Sequence, residues 1–116
     1  RRNILVNPYF PPPRLLRTMV GEVKYLSPRR DGAESFLLTE GICDAYEAVE
    51  RTEFDALTPE EIALTTGMFA DGDELVHCGP EFERHYPGRR VDYPGKHLPV
   101  FPELKHYLVP LVSKLF

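Results

Sequence analysis

The residues best suited to chemistry lie between positions 77 and 97. His77, Cys78, His85, Asp92 and His97 are all competent metal ligands. Their spacing matches no common zinc pattern. His77 and Cys78 are adjacent, and the second cysteine, Cys43, lies far upstream. Neighbouring residues rarely ligate one ion, so the group reads as solvated loop side chains, and no metal is expected. Cys78 beside His77 or His85 has the types needed for a nucleophile and its base. Nothing in the sequence positions such a pair, because Gly79-Pro80 marks only a turn. Asp71 and Asp73 could offer oxygens to calcium, but Asp71-Gly72-Asp73-Glu74 lacks the later ligands of an EF-hand loop. It reads as a solvated turn that terminates a helix.

Several motifs are absent. There is no Gly-rich phosphate loop ending in Gly-Lys-Ser or Gly-Lys-Thr, no GxGxxG, no GxSxG and no HExxH. A self-contained nucleotide-hydrolysing motor is thereby excluded. No catalytic residue and no cofactor is expected, and whether the chain belongs to an enzyme stays open.

The net charge of −4 hides an asymmetry. Residues 1–30 carry seven basic and one acidic residue, whereas residues 31–61 carry one basic and ten acidic. One reading is that the basic segment folds back on the acidic one by charge complementarity. The other is that Arg14, Arg17, Lys24, Arg29 and Arg30 contact a phosphate backbone such as RNA, where positive charge positions without specifying sequence. Asp44, Glu47 and Glu50 could form an acidic docking face, although a charge run usually marks a solvated surface.

The elements that must position these residues read as mainly helical. In 116 residues the sequence describes one small helical domain, or part of a larger one. Helices are expected near 14–26, 33–52, 59–69 and 102–116. An extended arm covers 1–13, where Ile4-Leu5-Val6 leads into Pro11-Pro12-Pro13, and a long irregular Pro/Gly-rich connection covers 70–101. The helix at 33–52 carries Leu38, Ile42, Ala45, Tyr46 and Val49 as a core-facing stripe, with Asp31 as its N-cap. The helix at 59–69 starts on the clearest signal in the chain: Thr58 as N-cap, Pro59 at the first helical position and Glu61 closing a capping box. The last helix has an apolar stripe including Leu108, Leu111 and Leu115, with Pro110 expected to disturb its interior. That stripe runs to Leu115-Phe116, which points to a fragment of a larger chain or to an end that docks on a partner. Cys43 and Cys78 could pair but nothing demands it, and there is no apolar run of about 18 residues, so a soluble intracellular protein with reduced thiols and no membrane partner is expected.

One longer pattern stands out. Phe36 to Ile42, followed by Thr52-Glu53-Phe54-Asp55-Ala56-Leu57-Thr58-Pro59-Glu60-Glu61-Ile62 and then Met68-Phe69, resembles the C-terminal helical (DSHCT) domain of superkiller-type RNA helicases. Phe54, Leu57, Pro59, Glu60, Glu61 and Phe69 carry the match. The connection after Phe69 is longer and richer in proline than in that family, and the family's later helices are missing. The resemblance implies a non-catalytic helical accessory module that helps contact RNA, with the ATPase motor outside this chain. The alternative is a helical protein-interaction module that uses the acidic helix face or the leucines at 108, 111 and 115.

Overall fold

The computed structural model describes residues 1–116, the side chain of Pro12 excepted. It corrects the mainly helical expectation: 40% of the chain is helical but 19% is strand, so the fold is α/β. In chain order the elements are β1 (Asn3–Val6), α1 (Pro12–Arg17), β2 (Gly21–Lys24), β3 (Ser35–Leu38), α2 (Glu40–Thr52), α3 (Pro59–Leu64), β4 (Thr65–Ala70), α4 (Gly79–His85), β5 (Arg90–Tyr93), α5 (Phe101–Glu103) and α6 (Val109–Leu115). The chain divides into two compact units. One joins Arg1–Tyr9 to Leu57–Phe116, and the other is Phe10–Ala56, inserted between them in sequence.

The larger unit is built on a parallel sheet of order β1-β4-β5, with Asn3 opposite Thr65 and Gly67 opposite Arg90. All six residues of the central strand β4 are buried. Here the helix expected over 59–69 breaks. Its start is as expected, with Thr58 and Glu61 closing the capping box. At Thr65, however, the backbone turns extended. A short apolar run has no period that separates strand from helix. The pairing partners decide, because buried amides and carbonyls must be met, and β1 and β5 meet those of β4 on both edges.

Alternation along the strands sends side chains to two faces. On one face Met68, Ala70 and Tyr93 form a buried cluster, against which Ile4, Val6, Tyr107, Leu108 and Leu111 pack. The other face carries Gly67 and Phe69, covered by α4 through Phe82, which is fully buried. The Phe69 and Phe82 rings lie 5.3 Å apart, and Phe82 stacks on Tyr86 at 4.6 Å. Gly67 makes this packing possible: a Cβ there would lie 2.7 Å from the Phe82 ring.

The C-terminal helical segment falls where the sequence placed it. Between α5 and α6, residues Leu104–Leu108 form one wide π-turn. Pro110 has no N–H and its ring crowds the carbonyl four residues back, so the widened turn is the form the disturbance takes. The arm expected at 1–13 is instead β1 with α1, and the connection at 70–101 contains α4 and β5.

In the smaller unit the helix expected at 14–26 ends at Arg17 and the chain enters β2. Gly21 has φ of 125°, a conformation open to glycine. β2 pairs antiparallel with β3, Gly21 opposite Leu38, so residues 35–38 are strand and the second helix begins later than expected. Thr39 caps it by accepting from the Ile42 amide, while Asp31 accepts from Ala33 within the hairpin loop. The inward residues of this unit include Leu38, Cys43 and Pro13, and Phe10 meets Phe54 edge-to-face at 5.4 Å. Of the expected core stripe Leu38 is buried, in β3, whereas Ile42, Ala45, Tyr46 and Val49 are exposed on α2. Arg17 ties α1 to α2, bonding Glu40, Asp44 and Glu47 at 2.6, 2.7 and 2.9 Å.

Gly67→Ala tests the two-faced packing of β4. The added methyl must displace Phe82 or Phe69, and overpacking of this kind costs about 1–3 kcal/mol. Urea denaturation should show that loss, with no comparable loss for Gly41→Ala, where the added carbon would meet nothing closer than 3.8 Å.

Candidate functional site

The carboxyl ends of β1, β4 and β5 converge, and in parallel α/β sheets ligands sit beyond that end. The loops there are tied by polar groups. Asn7, just after β1, is the one non-glycine residue with positive φ (46°) among the described residues, and it is buried. Its Nδ2 donates to the Tyr93 hydroxyl at 3.0 Å and to the His97 carbonyl at 2.8 Å, and its Oδ1 accepts from the Ala70 amide at 2.8 Å. One side chain thus joins all three strand ends. The Asp71 amide donates to the Tyr93 carbonyl at 2.9 Å, and the Gly72 amide to the Gly95 carbonyl at 3.0 Å. Burial pushes the Tyr93 phenol above its ordinary pKa, against the opposing effect of the Asn7 donor.

Asp73 is the centre of the next layer. Its Oδ1 accepts from the amides of Leu75 and Val76 at 2.8 and 2.9 Å, and its Oδ2 meets His97 Nδ1 at 2.8 Å. The carboxylate is almost fully buried, whereas the imidazole is about a quarter exposed. Burial pushes the Asp73 pKa up, but the His97 bond and the two amide donors together outweigh it and hold the carboxyl below its ordinary range. A neutral imidazole whose Nδ1–H donates to a carboxylate has Nε2 as its acceptor. His97 Nε2 bonds to no described residue.

Asp73 also lines an open cleft of about 260 Å³ between the end of β4, the start of β5 and the start of α4. Phe69, Val76 and Pro80 give it apolar walls, and Asp71, His77 and Arg90 bring charge and polarity. Arg90 is held from two sides. Its Nε donates to Asp92 at 2.7 Å, and its guanidinium lies over the Phe69 ring, 5.6 Å from the centroid. The backbone of Gly79 lies against it: a Cβ at Gly79 would fall 2.6 Å from Cζ and 2.9 Å from each Nη. The two Nη groups of Arg90 bond to no described residue.

The residues singled out in the sequence are dispersed. His77 is exposed on the cleft, Cys78 is buried at the start of α4, His85 ends α4, Asp92 pairs with Arg90, and His97 pairs with Asp73. Among the described residues no three His, Cys, Asp or Glu side chains are grouped to hold a metal. Both cysteines are free thiols. Of the basic residues, Arg17 is engaged by three carboxylates, and the Glu47 bond, followed by that of Asp44, holds its guanidinium pKa well above the ordinary value. Arg29 pairs with Asp31 and lies over Tyr25, while Arg14, Lys24 and Arg30 are exposed. Leu108 and Leu111 pack on the buried cluster, and Leu115 is half-buried beside Leu111. No helix among the described residues is long and apolar enough to cross a membrane.

Asn7 and Arg90 escaped the sequence reading, and Asp73, read there as part of a solvated turn ending a helix, is instead buried in the loop that follows β4. The signals were an Asn-Pro directly after an apolar triplet, and acidic residues directly after an apolar run, both typical of strand ends. Arg90-Val91-Asp92-Tyr93 alternates between two Pro-Gly turns, which is a strand pattern. No family model matches the sequence, and no curated protein matches it.

The Asp73 carboxyl has a lower pKa folded than unfolded. It therefore stabilises the fold at every pH above its unfolded value of about 3.9, and that contribution is lost as pH falls through the lower folded value. Asp73→Asn should weaken the fold at pH 7 by about 1–3 kcal/mol. It should also flatten the fall in stability between pH 5 and the acid limit, as followed by urea unfolding at stepped pH.

Proposed function

We propose that the larger unit binds a small polar molecule in the cleft between the end of β4, the start of β5 and α4, with Asp73 and His97 as the pair that moves a proton for it. The observation that carries this is the double role of Asp73. The same carboxylate lines the cleft and fixes a part-exposed imidazole through Nδ1. A fixed imidazole with a free acceptor nitrogen is suited to general acid–base chemistry, and a neighbouring carboxylate is its usual orienting group. The apolar walls with a few convergent polar groups match the composition of small-molecule sites. The loop after β4 supplies Asp73 and the first residue of β5 supplies Arg90, and Asn7 ties that loop's start to the end of β5.

Crystal soaking or two-dimensional NMR with a fragment library tests the reading. Bound fragments should perturb residues 69–79 and Arg90, together with the His97 ring signals. Fragments that bind only elsewhere on the chain, or a cleft that takes none, would overturn it.

RNA contact, which the resemblance to the helicase accessory domain implies, is a second reading. Arg14, Lys24 and Arg30 support it, being exposed and paired with no described carboxylate. Single-stranded RNA affinity should fall steeply with salt and drop further when these three are neutralised, as measured by fluorescence anisotropy. Binding that ignores salt would count against this reading.

A further inference from the structure

We infer that the ligand of the cleft carries both a carboxylate and an amine, as a small amino acid does. This deepens the proposed function and rests on its reading of the cleft as a ligand site. Arg90 supplies the anion anchor. A guanidinium recognises a carboxylate best through two parallel N–H donors, and Arg90 has its Nε committed to Asp92 while both Nη groups are uncommitted. The group is also held still. Phe69 lies under it, and Gly79 leaves no side chain to push it aside. A guanidinium confined between a ring and a bare backbone loses little freedom when it binds, so its donors are spent on the ligand.

Asp71 supplies the cation anchor. It lines the same cleft and is exposed, and among the described residues its carboxylate accepts only one bond, a long one of 3.4 Å from the Gly95 amide. Asp73, by contrast, has both oxygens occupied by Leu75, Val76 and His97. The two acidic groups therefore divide the work: Asp73 orients His97, and Asp71 receives an ammonium. Phe69, Val76 and Pro80 add apolar surface to the same cleft, suited to a short aliphatic side chain. An anion alone would meet Asp71 uncompensated, and a cation alone would meet Arg90, so each lone charge is discouraged by the group that welcomes the other.

The test uses three size-matched probes: L-2-aminobutyrate, butyrate and propylammonium, each titrated into the whole chain and followed by amide shifts of residues 69–79. The zwitterion should bind roughly tenfold or more tightly than either singly charged probe. Arg90→Lys keeps the charge and loses the fork, and should remove most of that preference. Asp71→Asn, an exposed change that leaves the fold intact, should bring the zwitterion down to the level of butyrate. Gly79→Ala should weaken binding through the displaced guanidinium. Butyrate or propylammonium binding as tightly as the zwitterion, or unchanged binding in both Arg90→Lys and Asp71→Asn, would overturn the inference. Neutral fragments entering the cleft while none of the three probes binds would sink this inference and leave the proposed function standing. A cleft that accepts no compound of any charge sinks both.

Discussion

Burying a strand on both faces removes every alternative partner for its backbone except another strand. β4 is in that position along its whole length. Its amides and carbonyls must be met by β1 on one edge and β5 on the other, or each orphan group would cost on the order of a hydrogen bond. Much else follows from this requirement. The two faces need two separate covers, α4 over Gly67 and Phe69 and the C-terminal helical segment over Met68 and Ala70. Because all three strands run the same way, their carboxyl ends finish together, and the loops that leave them have to share one small space.

The crowding at that end is resolved with polar groups rather than apolar ones. Asn7 holds a left-handed backbone that few side chains tolerate. Its amide offers both donors and an acceptor, which lets it reach β4, β5 and the loop beyond at once. Asp73 does the same for the loop after β4. Its two oxygens take two backbone amides and an imidazole. Low exposure makes these bonds stronger and makes each of them expensive to lose. The same low exposure keeps the network in a single arrangement, which is the condition for holding the His97 ring on a carboxylate that lines the cleft.

What the sequence made legible was local, and what it hid was tertiary. The Thr58–Glu61 capping box, the placement of the last helical segment and the trouble at Pro110 all depend on neighbours within one turn, and each is present. Residues 35–38 and 65–70 instead carry apolar spacing compatible with a helix. Their strand state is decided by partners elsewhere in the chain, β2 for one, and β1 with β5 for the other. The stripe at Ile42, Tyr46 and Val49 shows the reverse: its period is helical and the helix exists, but periodicity cannot tell which face a helix turns inward. Charge complementarity was legible as a sum over segments, and it is realised chiefly through Arg17. At the candidate site, His97 and Asp92 were visible by residue type. The roles of Asn7, Asp73 and Arg90 exist only because strand ends distant in sequence meet.

The insertion of one unit between β1 and β4 has a kinetic consequence. Asn3 must find Thr65, and the open chain between them would have to pay the closure entropy of a long loop before any pairing is formed. The segment Phe10–Ala56 is rich in nearer contacts: a hairpin between β2 and β3, and Arg17 reaching α2. Chains condense first where contacts are local. Once that segment is compact, it acts as a clip that shortens the path between the two parallel strands. The topology thus favours an order of assembly in which the inserted unit forms before the central strand and its two neighbours.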